Sequence, residues 1–217
     1  ELDVIQDPDG GRFADPLRPR LTAGQEGSVP FDPTGLEAPG YKVLHAQDVD
    51  QRTHCISFIA CLEQVNAWSL ANPRHVPLLI LVNLKDGSLD MPGTAEALPI
   101  TEEAFDRLDE ELRSVLGPER LITPDDVRSD EESLREAVLL GQWPSLEASR
   151  GKLIFTIDSG TDNVQLYIRD RLYLEGLPMF VNTIVDGAYH AAYFTMNDPV
   201  TDETLIRERV AIGFLVR

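Results

Sequence analysis

Pro77-Leu78-Leu79-Ile80-Leu81-Val82-Asn83 is the stretch that decides the fold. It is apolar almost without interruption and too short for a helix of ordinary length, so it reads as a strand. A strand with no polar face is one covered on both sides, the pattern of a parallel sheet. Pro73 and Pro77 bracket the turn that leads into it. Upstream, Ser57 to Leu70 places Phe58, Cys61, Leu62, Val65 and Trp68 on one side, which predicts an amphipathic helix. Tyr41 to Ala46 precedes it as a strand, and Glu1 to Ile5 is a strand stopped by the turn cluster Asp7-Pro8-Asp9-Gly10-Gly11. Between those two strands, Arg12 to Gly40 is rich in Pro, Gly and Asp and has no period. It reads as a long irregular surface loop, a feature that often carries function.

Downstream the alternation continues. Thr101-Glu102-Glu103 opens a helix whose stripe is Phe105, Leu108, Leu112 and Val115, ended by Gly117-Pro118. Leu121 to Thr123 is a short strand, Ser133 to Leu140 a helix, and Lys152 to Ile157 an apolar strand closing on Asp158-Ser159-Gly160. Val164 to Leu174 then reads as helix, Met179 to Ile184 as strand, Asp202 to Ile212 as helix and Phe214 to Val216 as a last strand. Strands alternating with helices predict parallel pairing through crossover helices, an α/β fold. At 217 residues the chain fits one such domain, residues 1–217.

The composition excludes several partners. There are 37 acidic against 19 basic side chains, a formal charge of -18, which repels a nucleic-acid backbone instead of releasing counterions from it. An anionic membrane surface is disfavoured as well unless a bound cation bridges it, so membrane contact is at most peripheral. No apolar run reaches the roughly 20 residues of a membrane span. Cys55 and Cys61 are either two buried thiols or a disulfide, and a bridge would suggest export. No Cys-x-x-Cys pair or His-x3-His spacing points to structural zinc.

In folds of this class chemistry collects at the C-terminal ends of strands. Glu1 and Asp3, two apart on a strand, point to one face and offer hard oxygens suited to calcium or magnesium; the alternative is a solvated pair at a frayed terminus. His45 ends its strand as a general base or acid, or else as a hydrogen-bonded core histidine. Lys85 shares a face with Asn83 and could neutralise phosphoryl charge, or be a surface lysine. Asp48, Asp50 and Asp86 read as solvated rim acids, and His54, His75 and His190 as structural or surface residues. The order Glu-x-Asp, His, Asn-x-Lys supplies a metal site, proton transfer and charge neutralisation, which is what phosphodiester cleavage uses.

Glu1-Leu2-Asp3-Val4, Tyr41-Lys42-Val43-Leu44-His45, Arg120 to Val127 and Ser149-Arg150-Gly151-Lys152 together resemble the bacterial calcium-dependent phosphoinositide phospholipase C family. Met179 to Asn182, Asn197-Asp198-Pro199 and Gly213 to Arg217 are similar to it too, so the likeness runs nearly the whole chain. The resemblance implies an incomplete TIM (β/α)8-type barrel, with the first βα unit and the end of the last strand missing. It implies Ca2+ held by Glu1, Asp3 and Asn83, the last standing where the family usually has Glu. It also implies His45 as one of two catalytic histidines, the other lying in a His-Asn-Ser-Tyr-like motif not found here, and Lys85 on the substrate phosphate. The activity implied is calcium-dependent hydrolysis of phosphatidylinositol or a related inositol phosphodiester through a cyclic phosphate, by a monomer that is secreted or periplasmic. Two other readings stay open: a glycerophosphodiester phosphodiesterase, and a non-catalytic barrel that grips a phosphorylated head group.

Overall fold

The computed structural model describes residues 1–217. Strand β1 (Leu2–Ile5) ends in a turn that the Gly10 amide closes on the Asp7 carbonyl at 3.1 Å. Gly10 has φ +77°, and a Cβ there would run into the Glu37 carbonyl, so both backbone angle and space call for glycine. The loop that follows is not wholly irregular: it holds a short helix, α1 (Leu17–Thr22). Its N-cap is Pro16, which has no side-chain acceptor. The missing acceptor comes from far along the chain, because the Asp48 carboxylate takes the Leu17 amide at 2.8 Å. Local sequence could not announce that helix.

Strand β2 (Lys42–Val43) pairs with β1 antiparallel, in the register Val4↔Val43 and Ile5↔Lys42. This corrects the expectation of parallel pairing throughout. The intervening loop doubles back onto the end of β1, with the Gly11 amide on the Leu36 carbonyl and the Gly40 amide on the Asp7 carbonyl, both at 2.9 Å, so the chain returns in the opposite direction. Helix α2 (Phe58–Ala71), strand β3 (Leu78–Lys85) and helix α3 (Glu102–Val115) then follow where the pattern predicts them, although of the expected apolar side of α2 only Phe58, Cys61 and Leu62 are buried and Trp68 is exposed. Cys55 and Cys61, left open by the sequence, form a disulfide.

The chain forms two compact units. The first is Glu1–Ala67 with Asn83–Val115. Its strands run in the order β2-β1-β3, β3 contributing its C-terminal residues. Ile5, Phe13, Leu36, Leu44 and Ala97 make a buried cluster here, and α3 buries Phe105, Leu108 and Leu112 of its expected stripe together with Ala104, while Val115 at its end is only partly buried.

The second unit is Trp68–Val82 with Leu116–Arg217. After α4 (Pro124–Arg128), α5 (Leu134–Leu139) and α6 (Leu146–Ser149) come β4 (Leu153–Asp158), α7 (Thr161–Ile168), β5 (Phe180–Val181), β6 (Tyr193–Phe194), α8 (Glu203–Ala211) and β7 (Leu215–Val216). Strand order is β3-β4-β5; β4 pairs parallel with β5, β6 parallel with β7, and a parallel bridge joins Asn182 to Tyr193. Expected strand Leu121–Thr123 is reduced to one bridge, Leu121↔Leu153, because Thr123 instead caps α4, its hydroxyl taking the Asp126 amide. The expected helix from Val164 to Leu174 stops at Ile168, where Arg169 takes φ +54°. The strand covered on both faces is β4, buried along Leu153 to Ile157, whereas β3 leaves Leu79 exposed. The strands make an α/β fold with an open, mixed sheet and no closed barrel.

Candidate functional site

Alternation along two strands builds the site, which lies in the first unit. On β1, Val4 turns to the buried side and Asp3 to the other; on β3, Asn83 and Lys85 share a face with the buried Leu84 behind them. One oxygen of Asp3, Oδ1, accepts from the Asn83 side-chain amide at 2.8 Å and lies 3.0 Å from the Lys85 ammonium. Two strand residues two apart thus converge on one carboxylate. The side chains of Asp3 and Lys85 keep 18% and 30% of their surface exposed, enough for water or a ligand to reach them.

His45 stands just past β2. Its neighbour Leu44 is fixed by a hydrogen bond from its backbone N–H to the Asp3 carbonyl at 3.0 Å. The imidazole Nδ1 is 2.8 Å from Asp50 Oδ2, and both side chains are well exposed. A carboxylate on Nδ1 sets the tautomer that leaves the Nε2 lone pair for proton transfer. His45 makes no polar contact with Asp3, Asn83 or Lys85, so the structure joins the predicted residues as one cluster of three and one histidine with a new partner.

By sequence that partner, Asp50, and Asp48 are both rim acids. The loop after His45 closes by paired backbone bonds between Ala46 and Asp50, at 2.8 and 3.3 Å, with Asp48 at its apex in the left-handed region, φ 71°. Far from being solvated, Asp48 is 3% exposed and clamps the Leu17 and Ala95 amides at 2.8 and 2.7 Å. The clamp holds the loop, and the loop holds Asp50 against His45. Of the other histidines, His75 Nε2 sits 2.6 Å from the buried Ser69 hydroxyl, His54 is exposed, and burial pushes the half-buried His190 imidazole to a lower pKa.

A second lysine–aspartate pair escaped the sequence reading altogether. Lys42 and Asp7 are both buried, 3.6 Å apart, and the Lys42 ammonium donates to the Ala38 and Gly40 carbonyls at 2.5 and 3.0 Å. Burial pulls the Lys42 ammonium below the usual lysine range, with Asp7 and Glu111 working against that shift. Glu111 is raised above the usual carboxylate range, chiefly by burial and against the Tyr41 amide that it accepts.

Glu1, Asp3 and Asn83 are hard oxygen donors, chemically suited to calcium. The structure brings Asp3 and Asn83 together but forms no cluster of three acidic, His or Cys side chains around them. Around Asp3 Oδ1 the positive partners are an ammonium and an amide N–H. As they stand these side chains do not present a cation site; to hold a divalent cation there, Lys85 would have to give up Asp3 and the Asn83 amide would have to turn its oxygen inward.

No curated protein matches the chain. Among solved structures, a Ca2+-dependent phosphatidylinositol-specific phospholipase C from Streptomyces antibioticus has a TM-score of 0.61 at 20% identity, covering 82% of this chain and 68% of its own. A calcium-dependent phosphoinositol-specific phospholipase C from a Gram-negative bacterium, Pseudomonas sp, solved in apo form with myoinositol, has a TM-score of 0.54 at 18% identity, covering 74% of this chain and 56% of its own. The chain thus spans little more than half of the latter protein, and at these identities the likeness is one of fold. A family model described as phosphoinositide phospholipase C, Ca2+-dependent, matches residues 1–217 from end to end. On that match the chain belongs to the Ca2+-dependent phosphoinositide phospholipase C family.

Proposed function

We propose that this chain cleaves phosphatidylinositol or a related inositol phosphodiester, with calcium, through a cyclic phosphate. The observation that carries the reading is the convergence of Asn83 and Lys85 on Asp3, in a chain of this family. Glu1, Asp3 and Asn83 would hold calcium, which when bound supplies Lewis-acid stabilisation of charge at phosphorus. The inositol hydroxyl next to phosphorus attacks, the bond to the diacylglycerol oxygen breaks, and water later opens the cyclic diester. Such in-line displacement needs a base on one side of phosphorus and an acid on the other. His45 serves one of these duties through Nε2, oriented by Asp50, and reverses it when water attacks. Lys85, released from Asp3, meets the phosphoryl oxygens. The parallel run from β4 to β7 supports reading the open sheet as part of a (β/α)8-type barrel wall. The Cys55–Cys61 disulfide supports a secreted or periplasmic protein.

A reading without cleavage, as a head-group-binding module, is favoured by one fact: Asp3 is already neutralised internally. Release of cyclic inositol phosphate from phosphatidylinositol, with and without a calcium chelator, decides between them. Turnover should vanish with the chelator and fall about 10²–10⁴-fold in His45→Ala. Calcium binding without any turnover would leave the binding module.

A further inference from the structure

His45 follows β2 and Lys85 ends β3, and β1 lies between those strands, so the two backbones are about 9–10 Å apart across the sheet. Groups that act on one phosphorus need a fixed span, since a misplacement of about 1 Å can cost about 10²-fold in rate. Asp3 links the two sides in this structure, its carbonyl taking the Leu44 amide and its carboxylate meeting Lys85. That link is lost once Lys85 leaves Asp3 for a phosphate.

The loop after His45 carries another. Gln47 and Asp48 are adjacent, 5% and 3% exposed, and both reach the segment that leaves β3. Gln47 Nε2 donates to the carbonyl of Gly87, two residues past Lys85, at 2.8 Å, and Asp48 Oδ2 accepts the Ala95 amide at 2.7 Å. The segment is closed on itself, with Ser88 Oγ accepting the Ala97 amide at 2.8 Å, so its two ends are held as one piece. From the other side α1 grips the same loop: Asp48 Oδ1 takes the Leu17 amide and the Asp48 carbonyl takes the Arg18 amide, both at 2.8 Å. Asp48 sits at φ 71°, a left-handed backbone that costs energy for any residue but glycine and persists where the surroundings over-determine it. Burying two polar side chains is costly as well unless each is bonded. A loop that only had to turn the chain could use glycine at its apex and needs neither device.

We propose that Gln47 and Asp48 are positioning residues, a brace that fixes the span between His45 and Lys85. Gln47 acts on Lys85 through Gly87; Asp48 acts on it through Ala95 while it holds Asp50 against His45. The proposal rests on the reading that His45 and Lys85 act on the same phosphodiester.

The test is a double-mutant cycle on turnover of phosphatidylinositol by the full chain with calcium. Gln47→Leu keeps the bulk and removes the donor, and should lower kcat about 10–10²-fold with KM within about twofold. In a Lys85→Met background the same change should cost less than about twofold, because the span has lost its second end. A purely structural role would cost the same factor in both backgrounds, and that result, or an unchanged kcat, overturns the proposal. Thermal melts check folding, and Gln47→Glu, which also removes the donor, replaces a variant that does not fold. Amide hydrogen exchange reads the link without turnover. Asp48→Asn tolerates the left-handed backbone and gives up one of two acceptors. It should speed exchange about tenfold both at Asp50, in the His45 loop, and at Ala97, in the segment after Lys85. Faster exchange at only one of them overturns the brace. Linked exchange in a protein that does not turn over phosphatidylinositol sinks the catalytic reading alone, and turnover without linked exchange sinks the brace alone.

Discussion

Lys42 and Asp7 have side chains 0% and 1% exposed and lie 3.6 Å apart, whereas Lys85 and Asp3 are 30% and 18% exposed and lie 3.0 Å apart. Both pairs belong to the first unit, and both join β1, or the turn just after it, to a lysine on another strand. Their settings make them different devices. Lys42 is pinned by two backbone carbonyls and Asp7 accepts the Arg12 amide at 3.2 Å, so neither has anywhere else to go. Lys85 and Asp3 remain in reach of water, and a pair that can be rehydrated can exchange partners cheaply. The first pair fixes the return of the loop onto β1. The second stores a cation and an anion side by side at the place where a metal and a phosphate would each need one.

Breaking the buried pair should give the largest effect. Lys42→Met leaves the Asp7 charge buried with no counter-ion, and the expected loss is about 3–5 kcal/mol in denaturant melts. A loss under about 1 kcal/mol would mean that the pair is hydrated in solution and that the contrast with Lys85 is false.

Removing the lysine of the exposed pair should act on chemistry more than on stability. Lys85→Met is expected to change stability by no more than about 1 kcal/mol, the range of partly exposed ion pairs. Turnover of phosphatidylinositol should fall about 10²–10³-fold, as when one charge-stabilising donor is lost. Calcium affinity, measured by titration of the same variant, should rise, since Asp3 Oδ1 no longer faces an ammonium. Weaker calcium binding in the variant would show that Lys85 supports the site instead of competing for it.

The contrast also marks what sequence can convey. Asp3, Asn83 and Lys85 were legible because period-two alternation fixes their faces and because β3 announces itself by its apolar run. β4, α2 and α3 were legible for the same local reason. The direction of β2 was not, since it depends on a loop that folds back through Gly11, Leu36 and Gly40, contacts that no periodicity encodes. Lys42 looked like any strand lysine; its burial follows from carbonyls at Ala38 and Gly40 that turn toward it only in the folded loop. Asp50 became the partner of His45 through the left-handed apex at Asp48, whose own anchors, Leu17 and Ala95, are distant in sequence.

The smallest of the three effects sharpens the comparison by asking whether the second acid near Lys42 belongs to the buried pair. Glu111 Oε1 accepts the Tyr41 amide at 2.8 Å, and its other oxygen is buried without a hydrogen-bond partner. Its carboxyl is raised from the ordinary 4.5, first by burial, while the Tyr41 amide, Lys42 and Arg107 pull the other way. A raised folded-state pKa contributes stability that is fully present below the unfolded value and is lost as pH rises through the folded one. Wild-type protein should therefore lose this contribution above about pH 4.5. Glu111→Gln keeps an oxygen for the Tyr41 amide and carries no charge at any pH, so it removes that slope. In melts at a series of pH values, the variant should match wild type at the acidic end and gain on it toward neutrality. If its advantage instead shrinks or reverses as pH rises, the attraction between Glu111 and Lys42 outweighs the desolvation, and the buried device is a triad of charges and not a pair.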